Sequence, residues 1–468
     1  MGKPLKPLTG LDAAFLYLES AGTPMHVGSV MLIELPDKRG YDFHQSLLEL
    51  VADRLPRTPA LRRVLHEAPL GLGHPMWADA PSLNLKKQIR KRRLPGKGGL
   101  KQLMGLVGKL HSEPLSRELP MWQFVVIENV EPGIVALYSK IHHALLDGQG
   151  GIALAQALLD IAPNAPRPAN HAAKVAKPTA DVSTRELASS ATRSSVRQFA
   201  NLLRALPATL KLAGSVSQAA GMIGNLRDNV LMAPRTVFNR QIGPARSFGA
   251  ISFPIDEVKR VARGFGVTLN DVVMAICSGA LRELLLTVDA LPRKSLVAAM
   301  PVSLREAGNK EINNQVSMVQ CSLATDIADP LARLRAIHAS TAQIKQRVAA
   351  FRNFIPTDFP GLAAPIWAAG LSRLWGSAHI SERLPVLANV VISNVPGPPV
   401  FLYLAGAKLQ HYYPVSIVTH GLAFNITVQS YVGNLEFGLT ACKDIVARPD
   451  IVARAMAAAL TELGELLP

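Results

Sequence analysis

The chain has 468 residues, 49% hydrophobic and 18% charged, which excludes wholesale disorder and exceeds what one ordinary core needs; roughly two to three domains are expected. Lys and Arg outnumber Asp and Glu by 50 to 34, and the net charge of +16 favours a polyanionic partner: nucleic acid, anionic headgroups or a phosphorylated cofactor. The cysteines Cys277, Cys321 and Cys442 lie far apart in apolar contexts, with no pairing framework or Cys-x-x-Cys metal pattern, so a reducing compartment is expected.

The N-terminus has no apolar stretch of signal-peptide length, and the longest weakly polar run, 361–371, is too short to span a bilayer and contains Pro365. Residues 8–19 read as a short helix with Thr9 at its N-cap, and 25–34 as a strand. Phe43, Leu47, Leu50 and Val51 share one helical face over 43–55. A basic run, Lys86 to Arg93, follows; it is either a solvated face or a docking surface for lipid. Helical spacing resumes over 100–111, then an irregular connection (114–122) and a strand (123–128) lead to a second strand.

That second strand runs into Ile141-His142-His143-Ala144-Leu145-Leu146-Asp147-Gly148, where a base, a carboxylate and a permissive glycine sit at a strand end. From 163 to about 194 the composition shifts to Ala, Pro, Ser, Thr and Lys, a linker by composition, and 202–222 regains helical spacing. The expected division is an N-terminal lobe (1–162), a linker with a crossover helix (163–247) and a C-terminal lobe (248–468). In that last part strands are expected at 250–253, 295–300, 316–323, 388–393, 409–418, 422–431 and 435–441. Helices are expected at 256–264 with Gly266 as its stop, at 268–286 behind a Thr268/Asp271 capping box, at 331–348, at 362–375 and at 451–466.

Adjacent histidines on an extended chain project to opposite faces, so only one can serve as a general base in a cleft. His143 is assigned that role, with His142 packed beneath. A metal site from His142, His143 and Asp147 is disfavoured because adjacent ligands converge poorly. Gly148 to Ala153 fits the G-x-G-x-x-A dinucleotide pattern, but a linker rather than a second βαβ unit follows. A buried histidine pair without chemistry is the remaining alternative. No G-x-S-x-G elbow occurs, so direct attack by a substrate hydroxyl fits better than covalent catalysis.

His142 to Gly148 resembles the HHxxxDG motif of CoA-dependent acyltransferases, and the surrounding pattern resembles the bacterial wax ester synthase/diacylglycerol acyltransferase branch. Leu11-Asp12 through Gly28, Pro114-Leu115 through Trp122, Leu269-Asn270-Asp271 and Asn389 through Pro398 carry the likeness, from about residue 7 to about residue 443. The resemblance implies a two-lobe α/β fold of the chloramphenicol acetyltransferase type, with mixed sheets and a tunnel between lobes. It also implies transfer of a long-chain acyl group from acyl-CoA to a fatty alcohol or diacylglycerol, with no metal or redox cofactor. By the same likeness His143 is the base, Asp147 a structural carboxylate paired with Arg305, and Asn270, Ser393 and Asn394 candidates for substrate or oxyanion contact. Asn270 and Asp271 together resemble a motif needed for activity, and for Asp271 a capping role is an equally good reading. Ser116 departs from the branch, which usually has Asp there. A cytoplasmic chain peripherally attached to the inner membrane or lipid inclusions, without nucleic acid, is the corresponding expectation. Its rivals are a condensation-type enzyme with another thioester donor and a non-catalytic lipid-binding relative.

Overall fold

The strand that carries the histidine pair, β7 (Ile134–His142), is buried along nearly its whole length, as an apolar run between two neighbouring strands should be. Those neighbours are β2 (His26–Glu34) and β6 (Trp122–Glu131), both antiparallel to it. Beyond β6 lies parallel β5 (Ile89–Arg93); beyond β2 lie antiparallel β13 (Ala407–Val415) and β12 (Tyr403–Leu404). The computed structural model describes residues 6–67, 74–80, 82–145, 150–165, 231–303, 316–351 and 385–467. The expected helix at 362–375 and most of the expected linker lie outside the described residues.

A second six-stranded sheet runs in the order β10 (Val316–Ser322), β9 (Val297–Ser303), β11 (Val390–Val395), β14 (Phe424–Tyr431), β15 (Asn434–Cys442), β8 (Arg246–Pro254). It is mixed, because β11 is parallel to both β9 and β14 while the other pairs are antiparallel. A small third sheet joins β1 (Lys6–Pro7), β4 (Met76–Asp79) and β3 (Arg63–His66).

Helices fill the faces these sheets leave apolar. The face of the first sheet with Leu137 and Ile141 packs on residues of α1 (Gly10–Leu18), α2 (Phe43–Arg54) and α5 (Gly150–Leu158), including Leu16, Leu47 and Leu154. A four-residue helix, α3 (Leu85–Gln88), leads into β5. The opposite face, with Ala136 and Tyr138, packs on Leu103, Val107 and Leu110 of α4 (Leu100–Ser112) and on Phe248 of the second sheet. Over the second sheet lie α6 (Ile255–Phe265), α7 (Leu269–Thr287), α8 (Pro330–Phe351) and α9 (Pro449–Glu465). Helix α6 stops at Gly266 in the left-handed conformation, and α7 opens on the Thr268/Asp271 capping box, both as the residue pattern predicts.

The division into lobes differs from the expected one in one respect. Strands β12 and β13, within the expected C-terminal lobe, complete the N-terminal sheet: Tyr413 pairs with Val30 and Tyr412 with Met31. Strand β13 also passes close over β15, where Gly438 offers no side chain against the Pro414 carbonyl. The expected boundary at 248 therefore does not separate the two sheets. Hydrophobic periodicity identifies a strand but not the sheet that takes it.

The basic run divides between α3 and β5, and β5 is an edge strand whose Arg90, Lys91, Arg92 and Arg93 are exposed. Glu128 on the neighbouring strand pairs with Lys91 at 2.8 Å and approaches Arg93 at 3.9 Å. Charged residues on an edge also discourage unwanted strand pairing.

Candidate active site

The backbone of the histidine pair is pinned from both sides. The His142 N–H donates to the Met121 carbonyl at 2.9 Å and the His143 N–H to the Met25 carbonyl at 2.9 Å. Pro24-Met25-His26 and Pro120-Met121-Trp122, remote in sequence, thus flank one turn because they begin or precede the two neighbours of β7. Residues His143–Leu145 form a single 3-10 turn that takes the chain out of the sheet.

His142 is wholly buried, and its Nδ1 accepts the Ala144 main-chain N–H at 3.1 Å. His143 is partly exposed, its ring stacked on Phe15 with centroids 3.9 Å apart and planes 19° from parallel. This is the division expected from strand alternation. Burial pushes the His143 imidazole down to about 4; its own carbonyl opposes that shift and the neighbouring His142 adds to it. Nδ1 of His143 is buried without an aligned hydrogen-bond partner. The ring is therefore unprotonated at neutral pH, as a general base must be.

Beneath the turn lies a polar cluster that the sequence did not single out. His26 Nε2 meets the His111 carbonyl at 2.8 Å, and His111 Nδ1 meets the Tyr138 hydroxyl at 2.8 Å. Lys140 is 1% exposed and its Nζ donates to the Leu110 and Glu113 carbonyls, both at 2.8 Å, capping α4 with a cation at the negative end of its dipole. Burial lowers Lys140 to about 8 and His111 to about 3. On the other face of β7 an apolar cavity of about 150 Å³ is lined by Gly28, Ser139, Ile141, Leu154, Leu158 and Tyr412, among others. Ile141, near the end of β7, stands two residues before His143.

The C-terminal end of α5 is anchored by Arg54, whose Nη2 lies 2.7 Å from both Asp160 carboxylate oxygens and whose Nη1 donates to the Leu158 carbonyl at 2.8 Å. Asp160 in turn exchanges two main-chain hydrogen bonds with Tyr403 of β12. The helix that follows the His142–His143 turn is thus tied to the strand contributed from far along the chain.

A sequence profile described as the wax ester synthase/diacylglycerol acyltransferase catalytic domain matches residues 8–273, more than half the chain. The chain belongs to the wax ester synthase/diacylglycerol acyltransferase family. The profile of that family's C-terminal domain matches residues 312–464. An Acinetobacter baylyi relative named O-acyltransferase WSD is 34% identical over 453 residues, covering 95% of this chain and 94% of its own. A Mycobacterium tuberculosis relative, provisionally named a diacylglycerol O-acyltransferase, is 35% identical over 466 residues, covering 97% of this chain and 99% of its own. The solved wax ester synthase/diacylglycerol acyltransferase of Marinobacter aquaeolei VT8 superposes with a TM-score of 0.70 at 30% identity, covering 98% of each chain. The first condensation domain of the calcium-dependent antibiotic synthetase, at 16% identity and a TM-score of 0.53 over 99% of this chain and 98% of its own, shares the fold. The protein is an acyltransferase of the two-lobe α/β type.

Not all the expected site residues of this wax ester synthase/diacylglycerol acyltransferase family member meet. Asp147, Gly148 and Arg305 lie outside the described residues. Asn394 Nδ2 donates to Asn270 Oδ1 at 3.3 Å, joining the end of β11 to the start of α7. Ser393 is half-buried beside them. No contact among the described residues links this group to His143. Asp271 is fully buried and structural: it accepts the Thr268 N–H, His338 Nδ1 and the Thr341 hydroxyl, tying α8 to α7. Burial pushes its carboxyl up, but hydrogen bonds from Thr341, His338 and Thr268 outweigh it and lower the pKa overall. Cys277 and Cys321 are core residues, with burial pushing their thiols up to about 12 and about 11. Phe15, Glu19 and Arg117 are missing from the sequence-based site. Phe15 and Glu19 stand four residues apart, in α1 and at its C-cap, yet nothing in that spacing names the histidines they meet.

Proposed function

We propose that this acyltransferase moves a long-chain acyl group from acyl-CoA to the hydroxyl of a fatty alcohol or a diacylglycerol, with His143 as general base. The single observation that carries this reading is the partly exposed His143 ring, pinned at a strand end two residues beyond Ile141, which lines an apolar cavity. Its Nδ1 is buried, so the lone pair is offered through Nε2. Nε2 takes the hydroxyl proton as the oxygen attacks the thioester carbonyl, and returns it to the departing CoA thiolate when the C–S bond breaks. Positioning of the two substrates supplies most of the acceleration, and the base contributes about 10²–10⁴-fold. Each methylene buried in an apolar tunnel is worth about 0.8 kcal/mol, which suits long chains. The scheme uses no metal or redox group. By family likeness, Asp147 pairs with Arg305 to hold the loop after His143, and Asn270, Ser393 and Asn394 contact substrate or the oxyanion.

The acceptor is settled by CoA-thiol release from palmitoyl-CoA, measured with hexadecanol, with dipalmitoylglycerol and with neither. Release that depends on one or both acceptors is expected. Release independent of any acceptor would point to hydrolysis and overturn the transfer reading.

The exposed arginines and lysine of β5 support peripheral docking on an anionic lipid surface, consistent with the net charge. Among the described residues no single helix is long and apolar enough to cross a membrane. The chain is expected to co-float with phosphatidylglycerol vesicles at low salt, and Arg90→Ser with Arg92→Ser to weaken that binding severalfold. Equal flotation with neutral phosphatidylcholine vesicles would exclude an electrostatic dock.

A further inference from the structure

The loop before β2 brings a carboxylate to the catalytic turn. Glu19, at the C-cap of α1, has a side chain only 9% exposed, and its two oxygens divide their work. Oε1 accepts the Met25 N–H at 3.3 Å and lies 3.3 Å from His142 Nε2, off the line of an ideal hydrogen bond. Oε2 accepts from Arg117 Nε at 3.3 Å and Nη2 at 3.0 Å. Arg117 is itself held by the Leu16 carbonyl at 2.9 Å. Burial pushes the Glu19 carboxyl up, but the contacts with His142, Arg117 and the Met25 N–H outweigh it and leave the pKa lowered.

The tautomer of His142 follows from its other nitrogen. Nδ1 accepts the Ala144 N–H and so carries no proton, which places the ring proton on Nε2, facing the carboxylate. Met25 is also the residue whose carbonyl accepts the His143 N–H, so Glu19 grips both the strand end and the buried ring on which the turn rests.

We infer that Glu19, oriented by Arg117, is a positioning residue for the acyl transfer: it fixes the His142 tautomer and thereby the Ala144 turn that aims His143. The inference rests on His143 being the base. Helix α1 then serves catalysis twice, through Phe15 stacked on His143 and through Glu19 behind His142.

Glutamine at position 19 keeps the shape but has only one acceptor oxygen. Turned towards Met25 and His142, it presents an NH₂ group to the Arg117 donors. The full chain with Glu19→Gln is expected to retain its Tm and its KM for palmitoyl-CoA while kcat with the preferred acceptor falls about 10-fold or more, within the roughly 10²-fold that a 1 Å misplacement produces. Arg117→Gln alone, at a 40% exposed side chain, is expected to fold and lose about threefold in kcat, a small part of that 10²-fold range. Combined with Glu19→Gln it offers an acceptor to the new NH₂, so the double variant recovers activity relative to Glu19→Gln. A purely structural role would instead lower the Tm of Glu19→Gln together with its kcat. An unchanged kcat in Glu19→Gln, or additive losses in the double variant, would overturn the inference. His143→Ala measured alongside separates the two readings. If that variant keeps acceptor-dependent release, the base assignment fails; if it is inactive while Glu19→Gln is normal, only the positioning role fails.

Discussion

His143→Ala is expected to lower kcat about 10²–10⁴-fold while leaving the protein folded. The ring is partly exposed at a strand end, so truncation opens no closed core cavity; the main loss is its stack on Phe15, worth about 0.5–1.5 kcal/mol. KM for acyl-CoA should move little, because the proton is transferred only as the bond to the acceptor forms. The pH dependence of the native enzyme follows from burial. With the imidazole lowered to about 4, the base-competent form persists through the neutral range. The acid limb of kcat/KM is expected near pH 4, with a tenfold fall per unit below it. A limb at the ordinary 6.5 would show that burial does not govern the ring in solution. Activity surviving in His143→Ala, measured as acceptor-dependent thiol release, would remove it as the base.

The second large effect is expected far from the chemistry, at Gly438→Ala. A Cβ there falls inside the van der Waals shell of the Pro414 carbonyl oxygen, and both partners are backbone, so no rotamer change relieves the clash. Overpacking usually costs about 1–3 kcal/mol; for a backbone-to-backbone contact the upper end or beyond is expected. The strands forced apart are β13 and β15. Because β13 pairs with β2 and β2 with β7, the displacement should reach the His142–His143 turn, and activity should fall together with Tm. Gly105→Ala is the contrast. It lies in α4 with nothing within 4 Å of an added Cβ, and the better helix former should stabilise by about 0.5–1 kcal/mol. Urea denaturation of both variants gives the comparison. Equal midpoints would mean that the two sheets are not as tightly apposed as the contact implies.

Where order along the chain determines structure, the sequence was a good guide. The Thr268/Asp271 box, the Gly266 stop and the opposed fates of His142 and His143 all follow from interactions within a few residues. The family likeness extended that reach to the acyltransferase fold itself. What stayed hidden is non-local. The pattern of 407–415 reads as a strand but carries no sign that it crosses to the first sheet. Glu19 and Phe15 lie more than a hundred residues from the histidines they support. Lys140 sits in an apolar strand as an apparent exception, and only the end of α4 explains why a cation is tolerated there. Asp271 shows the opposite bias: its motif suggested chemistry, while its three hydrogen-bond partners make it a structural anchor.

The strand that crosses between sheets also imposes an order on synthesis. The outer edge of β2 is complete only when β13 emerges, about 370 residues later. At ribosomal rates of about 5–20 residues per second, that edge stays open for roughly 20–70 s. Its exposed N–H and C=O groups form a template for pairing with any other extended chain. The nascent polypeptide therefore passes through a period in which the sheet that carries the histidine pair has an open edge, and yields of soluble enzyme should respond to holdase chaperones and slower growth.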